Sequence, residues 1–142
     1  KPATMFVAGF IGSPPMNMLR FSGQIAAGDE AVTLHQQRIG VPASRVPFEG
    51  DMALGVRPEH VRLTDGGALR ARVLATEYLG TTQIVTLETR DGVVKARLPS
   101  DRVVRAGETV GLDFDARAIT LFDAASGRAL RSALNEGVLA HG

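Results

Sequence analysis

Leu69–Leu98, which reads LRARVLATEYLGTTQIVTLETRDGVVKARL, is the stretch that decides the fold. Leu69, Ala71 and Val73 alternate with Arg70 and Arg72, giving one apolar and one charged face at the period of a strand. Leu79-Gly80 ends that strand. Gln83 to Arg90 is a β-branched run, and Asp91-Gly92 is a two-residue hairpin signal. Val94, Ala96 and Leu98 then alternate with Lys95 and Arg97.

Outward from this core the same grammar repeats. Upstream, Leu19 to Ile25 and Ala31 to His35 read as strands around the Ala27-Gly28-Asp29 turn. Met52 to Leu63 is interrupted by Pro58, which predicts two short strands or one kinked edge strand. Asp65-Gly66-Gly67 predicts a tight hairpin turn. Downstream, Ser100-Asp101 is placed to cap one helical turn before Gly107, and Thr109 to Asp115 and Ala118 to Phe122 are two last strands. Strands at this spacing, punctuated by Gly and Asp, predict a small antiparallel barrel or a sandwich.

The ends read differently. Phe6, Gly9 and Phe10 fall at helical spacing, and Gly12-Ser13-Pro14-Pro15 stops the run. A helix of about two and a half turns, apolar on most sides, needs a partner surface. That surface is either the rest of this chain or a missing upstream domain. Arg128 to Leu139 reads equally as a frayed helix or as a tail.

Composition removes several function classes. The 142 residues include no cysteine, which excludes disulfides, thiolate metal sites and a cysteine nucleophile. Sixteen basic and fifteen acidic residues leave a net charge of +1, too small a field to capture nucleic acid by charge alone. Aromatics are 5%, thin for a base-stacking platform, although Arg70, Arg72, Lys95 and Arg97 are placed to line one face of a hairpin. The only lysines, Lys1 and Lys95, follow no glycine-rich loop, so the chain has no P-loop for nucleotide hydrolysis.

Catalytic and metal constellations are sparse. His35, His60 and His141 are far apart in sequence. Asp113 and Asp115 share a strand face, where they would clip a hard cation, act as an acid–base pair, or simply face solvent. No serine lies in a nucleophile elbow. Glu59-His60 are neighbours, but on a strand their side chains would point to opposite faces.

Three stretches, in order and with matching spacing, resemble the ATP-binding subunits of importers for maltose-like sugars and sn-glycerol 3-phosphate. Phe6 to Asn17 resembles the junction that ends their ATPase domain. Leu54-Gly55-Val56-Arg57-Pro58-Glu59-His60 resembles the signature of their C-terminal regulatory domain. Leu121-Phe122-Asp123-Ala124-Ala125-Ser126-Gly127 resembles that domain's closing motif, and Tyr78-Leu79-Gly80 sits where the family has its Leu-Gly. The resemblance covers nearly the whole chain to about Leu130.

The resemblance implies a transport-associated OB-like (TOBE) domain at residues 16–130. Residues 1–15 would be the helix and linker left from an ATPase domain, and 131–142 a tail. It implies no catalysis and no cofactor in this stretch, with ATP and magnesium held upstream. It implies a second copy of the subunit, membrane permease subunits and in some members a regulatory protein as partners, no nucleic acid, and a place on the cytoplasmic face of the membrane.

The residues singled out as interaction or motif positions are Gly55, Arg57, Pro58, Glu59, His60, Gly80 and Asp123. Arg57 and Glu59 flank Pro58, either as an ion pair or partner contact or only as part of a turn. Asp123 is expected to bond its own turn, and Gly127 to take a positive φ. An alternative reading is a sensor of small anions or of transported substrate, because related OB-like extensions of oxyanion importers bind their anion; convergent arginines and turn N–H groups would be the ligands.

Overall fold

The computed structural model describes residues 15–135. The expected helix over the first dozen residues lies outside them. They hold ten strands, all paired antiparallel: β1 (Asn17–Ile25), β2 (Ala31–Leu34), β3 (Gln37–Gly40), β4 (Phe48–Val56), β5 (Val61–Leu63), β6 (Leu69–Leu79), β7 (Thr82–Thr89), β8 (Gly92–Pro99), β9 (Thr109–Phe114) and β10 (Thr120–Asp123). The strands form three sheets, ordered β1-β4-β10, β2-β3 and β5-β9-β6-β7-β8. The OB-like, mainly β expectation is met. Closure is not: among the described residues no ladder runs continuously around a barrel.

The alternation in the 69–98 stretch sets the largest sheet. Leu69, Ala71, Val73, Val85, Leu87, Val94, Ala96 and Leu98 are all buried, and the arginines between them face outward or to the rim. The same core takes in Leu19, Leu34, Leu54 and Leu112 from the other strands. Each such leucine removes enough apolar surface from water to stabilise the fold by roughly 1.5–3 kcal/mol.

β6 and β7 shift register between Val73 and Ala75, a bulge that leaves Leu74 at the surface. Beyond it the hairpin projects, with Tyr78 61% and Leu79 49% exposed.

Several local expectations change. The β7–β8 loop is Arg90-Asp91, one residue earlier than the Asp-Gly signal. Asp65-Gly66-Gly67 turns the chain but joins no hairpin, because β5 and β6 both pair with β9. Close approach explains Gly67, where a Cβ would stand 2.6 Å from the Leu112 backbone nitrogen. Arg70 and Arg72 do not share a hairpin with Lys95 and Arg97, since β7 lies between β6 and β8. Ser100-Asp101 forms a turn, not a helix, and residues 128–135 contain bridges and turns.

Where backbone pairing stops, a side chain continues it. β1 and β8 are edge strands of different sheets. The Asn17 amide donates from Nδ2 to the Lys95 carbonyl at 2.9 Å, and its Oδ1 accepts from the Lys95 amide at 2.8 Å. Asn17 is 7% exposed, so both bonds are shielded from water. Gln83 does similar work in the large sheet: its buried Nε2 donates to the carbonyls of Pro99 and Arg102 and fixes the turn after β8.

Candidate functional site

Two of the motif stretches lie side by side. β4 is the centre of its sheet, and β10 pairs with it through Gly55–Thr120, Leu54–Leu121, Ala53–Phe122 and Met52–Asp123. Gly55 is required by packing. A Cβ there would meet the Met16 sulfur at 2.6 Å and the Phe122 ring at 2.9 Å. Met16, Ala53, Phe122 and Ala129 form a second small core on this side of the sheet.

Arg57 sits between the end of β4 and a single 3-10 turn, Pro58–His60. Its carbonyl accepts from the His60 amide at 3.0 Å. Pro58 is buried at the first position of the turn, where the missing N–H costs nothing. The His60 carbonyl then accepts from the Asp115 amide at 3.0 Å, which ties the turn to the end of β9. Because Glu59 and His60 sit on this turn, the opposite-face argument for a strand does not apply to them. Glu59 is exposed and His60 half-buried, and neither side chain has a polar partner among the described residues. Gly80 stands apart from these residues, at the β6–β7 hairpin end with φ +75°.

Asp123 organises the closing motif. Its Oδ2 accepts from the Ser126 hydroxyl at 3.0 Å and its Oδ1 from the Ala125 amide at 2.9 Å. The Ser126 hydroxyl, with the amides of Ala125 and Ser126, outweighs desolvation and holds the carboxyl below the ordinary aspartate value. Gly127 follows at φ +76° and donates to the Asp123 carbonyl at 2.8 Å.

Asp113 and Asp115 are occupied separately: Asp113 accepts from the Ala68 amide at 3.0 Å, and Asp115 caps the next turn through the Arg117 amide at 3.1 Å. Among the described residues no three His, Asp or Glu side chains group as metal ligands.

A different constellation joins two hairpin ends. His35 Nδ1 lies 2.5 Å from the Asp91 carboxylate, whose side chain is only 3% exposed. His35 and Gln36 form the β2–β3 turn with φ of 44° and 71°. Such turns favour Asn-Gly, so two non-glycine residues there carry strain of about 1–2 kcal/mol each. Beside this contact is a cavity of 160 Å³ lined by Leu34, Leu69, Arg70 and Arg90 among others. Sequence reasoning missed the pair, since no local signal links the β2–β3 turn to the β7–β8 loop.

The strands that carry the two paired motifs fall in regions with known family counterparts. Residues 54–122 match the model of the TOBE domain, and residues 12–61 match that of the MalK OB fold domain. Residues 54–122 are a TOBE domain.

The chain is 41% identical to the sn-glycerol-3-phosphate import ATP-binding protein UgpC of Cereibacter sphaeroides over 92% of its own length and 36% of that protein. It is 33% identical to the trehalose/maltose import ATP-binding protein MalK of Thermococcus litoralis over 92% of the chain and 38% of that protein. The chain therefore spans a little over a third of the length of these relatives. The solved structure of the cytoplasmic molybdate-binding protein ModG matches with a TM-score of 0.52 and 12% identity over 74% of this chain and 94% of that one. At that identity the likeness is one of fold.

Proposed function

We propose that the chain is the regulatory and dimerisation domain of the ATP-binding subunit of an ABC importer for sugars or glycerol 3-phosphate, non-catalytic by itself. The observation that carries this reading is the pairing of β4 with β10. It brings the Gly55–His60 and Leu121–Gly127 motifs of the resemblance into one structural unit, in a chain whose relatives are import ATP-binding proteins. In this reading the domain proper is residues 16–130. ATP and magnesium are held by an upstream ATPase domain, which also reaches the permease at the inner face of the membrane.

The face of the large sheet that carries Leu79 and Val93 is the one offered to a second copy. By register, Leu79 on β6 and Val93 on β8 share one side of the sheet with the buried Ile84 of β7 and with Glu77 and Lys95. Leu79 and Val93 are about half exposed, which costs free energy unless they are covered. Light scattering on the chain over a range of concentrations tests this. Self-association that weakens in Leu79→Ser and Val93→Ser is expected. A monomer at every concentration, or association indifferent to both changes, removes this face from the reading.

A further inference from the structure

β10 is an outer strand of its sheet, and an outer strand presents backbone N–H and C=O groups that no ladder satisfies. Here the chain covers them with its own continuation. After the turn that follows Asp123, residues 128–135 run back along β10 as a strap. The Asp123 amide donates to the Arg128 carbonyl at 2.9 Å and the Leu130 amide to the Leu121 carbonyl at 2.8 Å, with Phe122 bridged to Ala129 between them. The strap then crosses to the segment before β4. The Arg45 amide donates to the Arg131 carbonyl at 2.9 Å and the Ala133 amide to the Ala43 carbonyl at 2.8 Å, around a Ser44–Ser132 bridge.

Two features set the strap apart from the sheets. It is thinly rooted: within it only Ala129 and Asn135 are buried, and Pro42, Ser44, Ile119, Leu121, Leu130 and Ser132 line a gap where it lies on the core. It is also braced internally. The buried Asn135 side chain accepts from the Ser132 amide at 2.7 Å through Oδ1 and donates from Nδ2 to the Leu130 carbonyl at 3.0 Å. Both bonds stay inside the strap, so they hold its shape without tying it to β10. A braced segment with few buried apolar contacts opens as a unit, at a lower free energy than the sheets beneath it.

We infer that residues 128–135 are a detachable cap over a strand-docking edge: they open together while the sheets stay paired, and the uncovered edge of β10 takes an extended peptide in their place. The strap itself defines the chemistry of that partner. Opposite Phe122 only a small residue fits, because Ala129 shares the small core with Met16, Ala53 and Phe122. The next residue, Leu130, rests on the main core. The partner is therefore a strand with a small residue followed by a large aliphatic one. Main-chain bonds to Leu121 and Asp123 give it affinity, and these two side chains give it specificity.

Native-state hydrogen exchange on the full chain tests the opening. The Arg45, Asp123, Leu130 and Ala133 amides should share one protection factor, at least about ten-fold below those of Leu54 and Leu87 in the sheets. Asn135→Ala should speed exchange at the four strap amides about ten-fold and leave Leu54 and Leu87 unchanged, which also verifies that the variant is folded. Leu130→Ser, which removes the strap's contact with the core, is a second route to the same loosening. Docking is tested by NMR titration with an end-capped peptide of the sequence 128–135. A tethered strap competes at an effective concentration in the millimolar range. At about 1 mM the peptide should therefore shift the Arg45 and Asp123 amides in the loosened variants far more than in the unsubstituted chain. The same peptide carrying Ala129→Phe should not bind. Strap amides that exchange only together with Leu54 and Leu87, or rates unchanged in both variants, would overturn the proposal. So would loosened variants that ignore the peptide, or that bind the Ala129→Phe peptide equally well.

Discussion

The Phe122 ring closes over Gly55 so tightly that a single methyl group has no room: a Cβ on the glycine would stand 2.9 Å from the ring and 2.6 Å from the Met16 sulfur. Both neighbours are buried, Phe122 fully and Met16 to 8% exposure.

Gly55→Ala should therefore lower stability by about 1–3 kcal/mol through overpacking. Urea denaturation measures it. A midpoint equal to that of the unsubstituted chain would show that Met16 and Phe122 can move aside.

Asn17→Ala removes both bonds to Lys95 and leaves the Lys95 backbone N–H and C=O without those partners. The expected loss is about 1–3 kcal/mol. Hydrogen exchange gives a local readout, because the Lys95 amide should lose protection while that of Leu87, inside the β6–β7–β8 sheet, keeps it under native conditions. Unchanged protection at Lys95 would count against the bridge.

The β2–β3 turn should be improved by glycine. Gln36 sits at φ 71° with an exposed side chain, so Gln36→Gly relieves left-handed strain at the cost of extra chain entropy. A net gain of up to about 1 kcal/mol in thermal or urea unfolding is expected. A loss would mean that the Gln36 side chain makes a stabilising contact of its own.

Asp123 predicts a pH effect with a definite sign. Its carboxyl is held below the ordinary value, chiefly by the Ser126 hydroxyl. A depressed folded-state pKa contributes stability that is complete above the unfolded value and is lost as pH falls through the folded one. Asp123→Asn should flatten that part of the acid limb of a stability–pH curve, and Ser126→Ala should move the Asp123 titration upward. An NMR titration of the carboxyl carbon that finds no depression would contradict the assignment.

Much of this fold is legible because burial follows alternation. Leu69, Ala71 and Val73, then Val94, Ala96 and Leu98, reach the core as their spacing dictates. β3 is not legible: of its four residues only Ile39 is buried, and the turn before it has no glycine to mark it. The Asp65-Gly66-Gly67 turn shows a different limit. Turn residues say that the chain reverses, but pairing with β9 depends on a strand more than forty residues later in the chain. Pro58 did report a break, though the break is a 3-10 turn, and this changes where Glu59 and His60 point. At the cavity, Arg70 was visible as one of several charged strand residues. Its nearness to Arg90 follows from the β6–β7 register, in which Arg72 faces Glu88.

The Asn17 bridge has an evolutionary reading. A backbone ladder survives most substitutions, because every residue except proline brings its own N–H and C=O. The polar link between β1 and the Lys95 backbone of β8 is made by one side-chain amide, so a single codon carries it. The polar part of the seam between the two larger sheets is therefore written in one letter of the sequence.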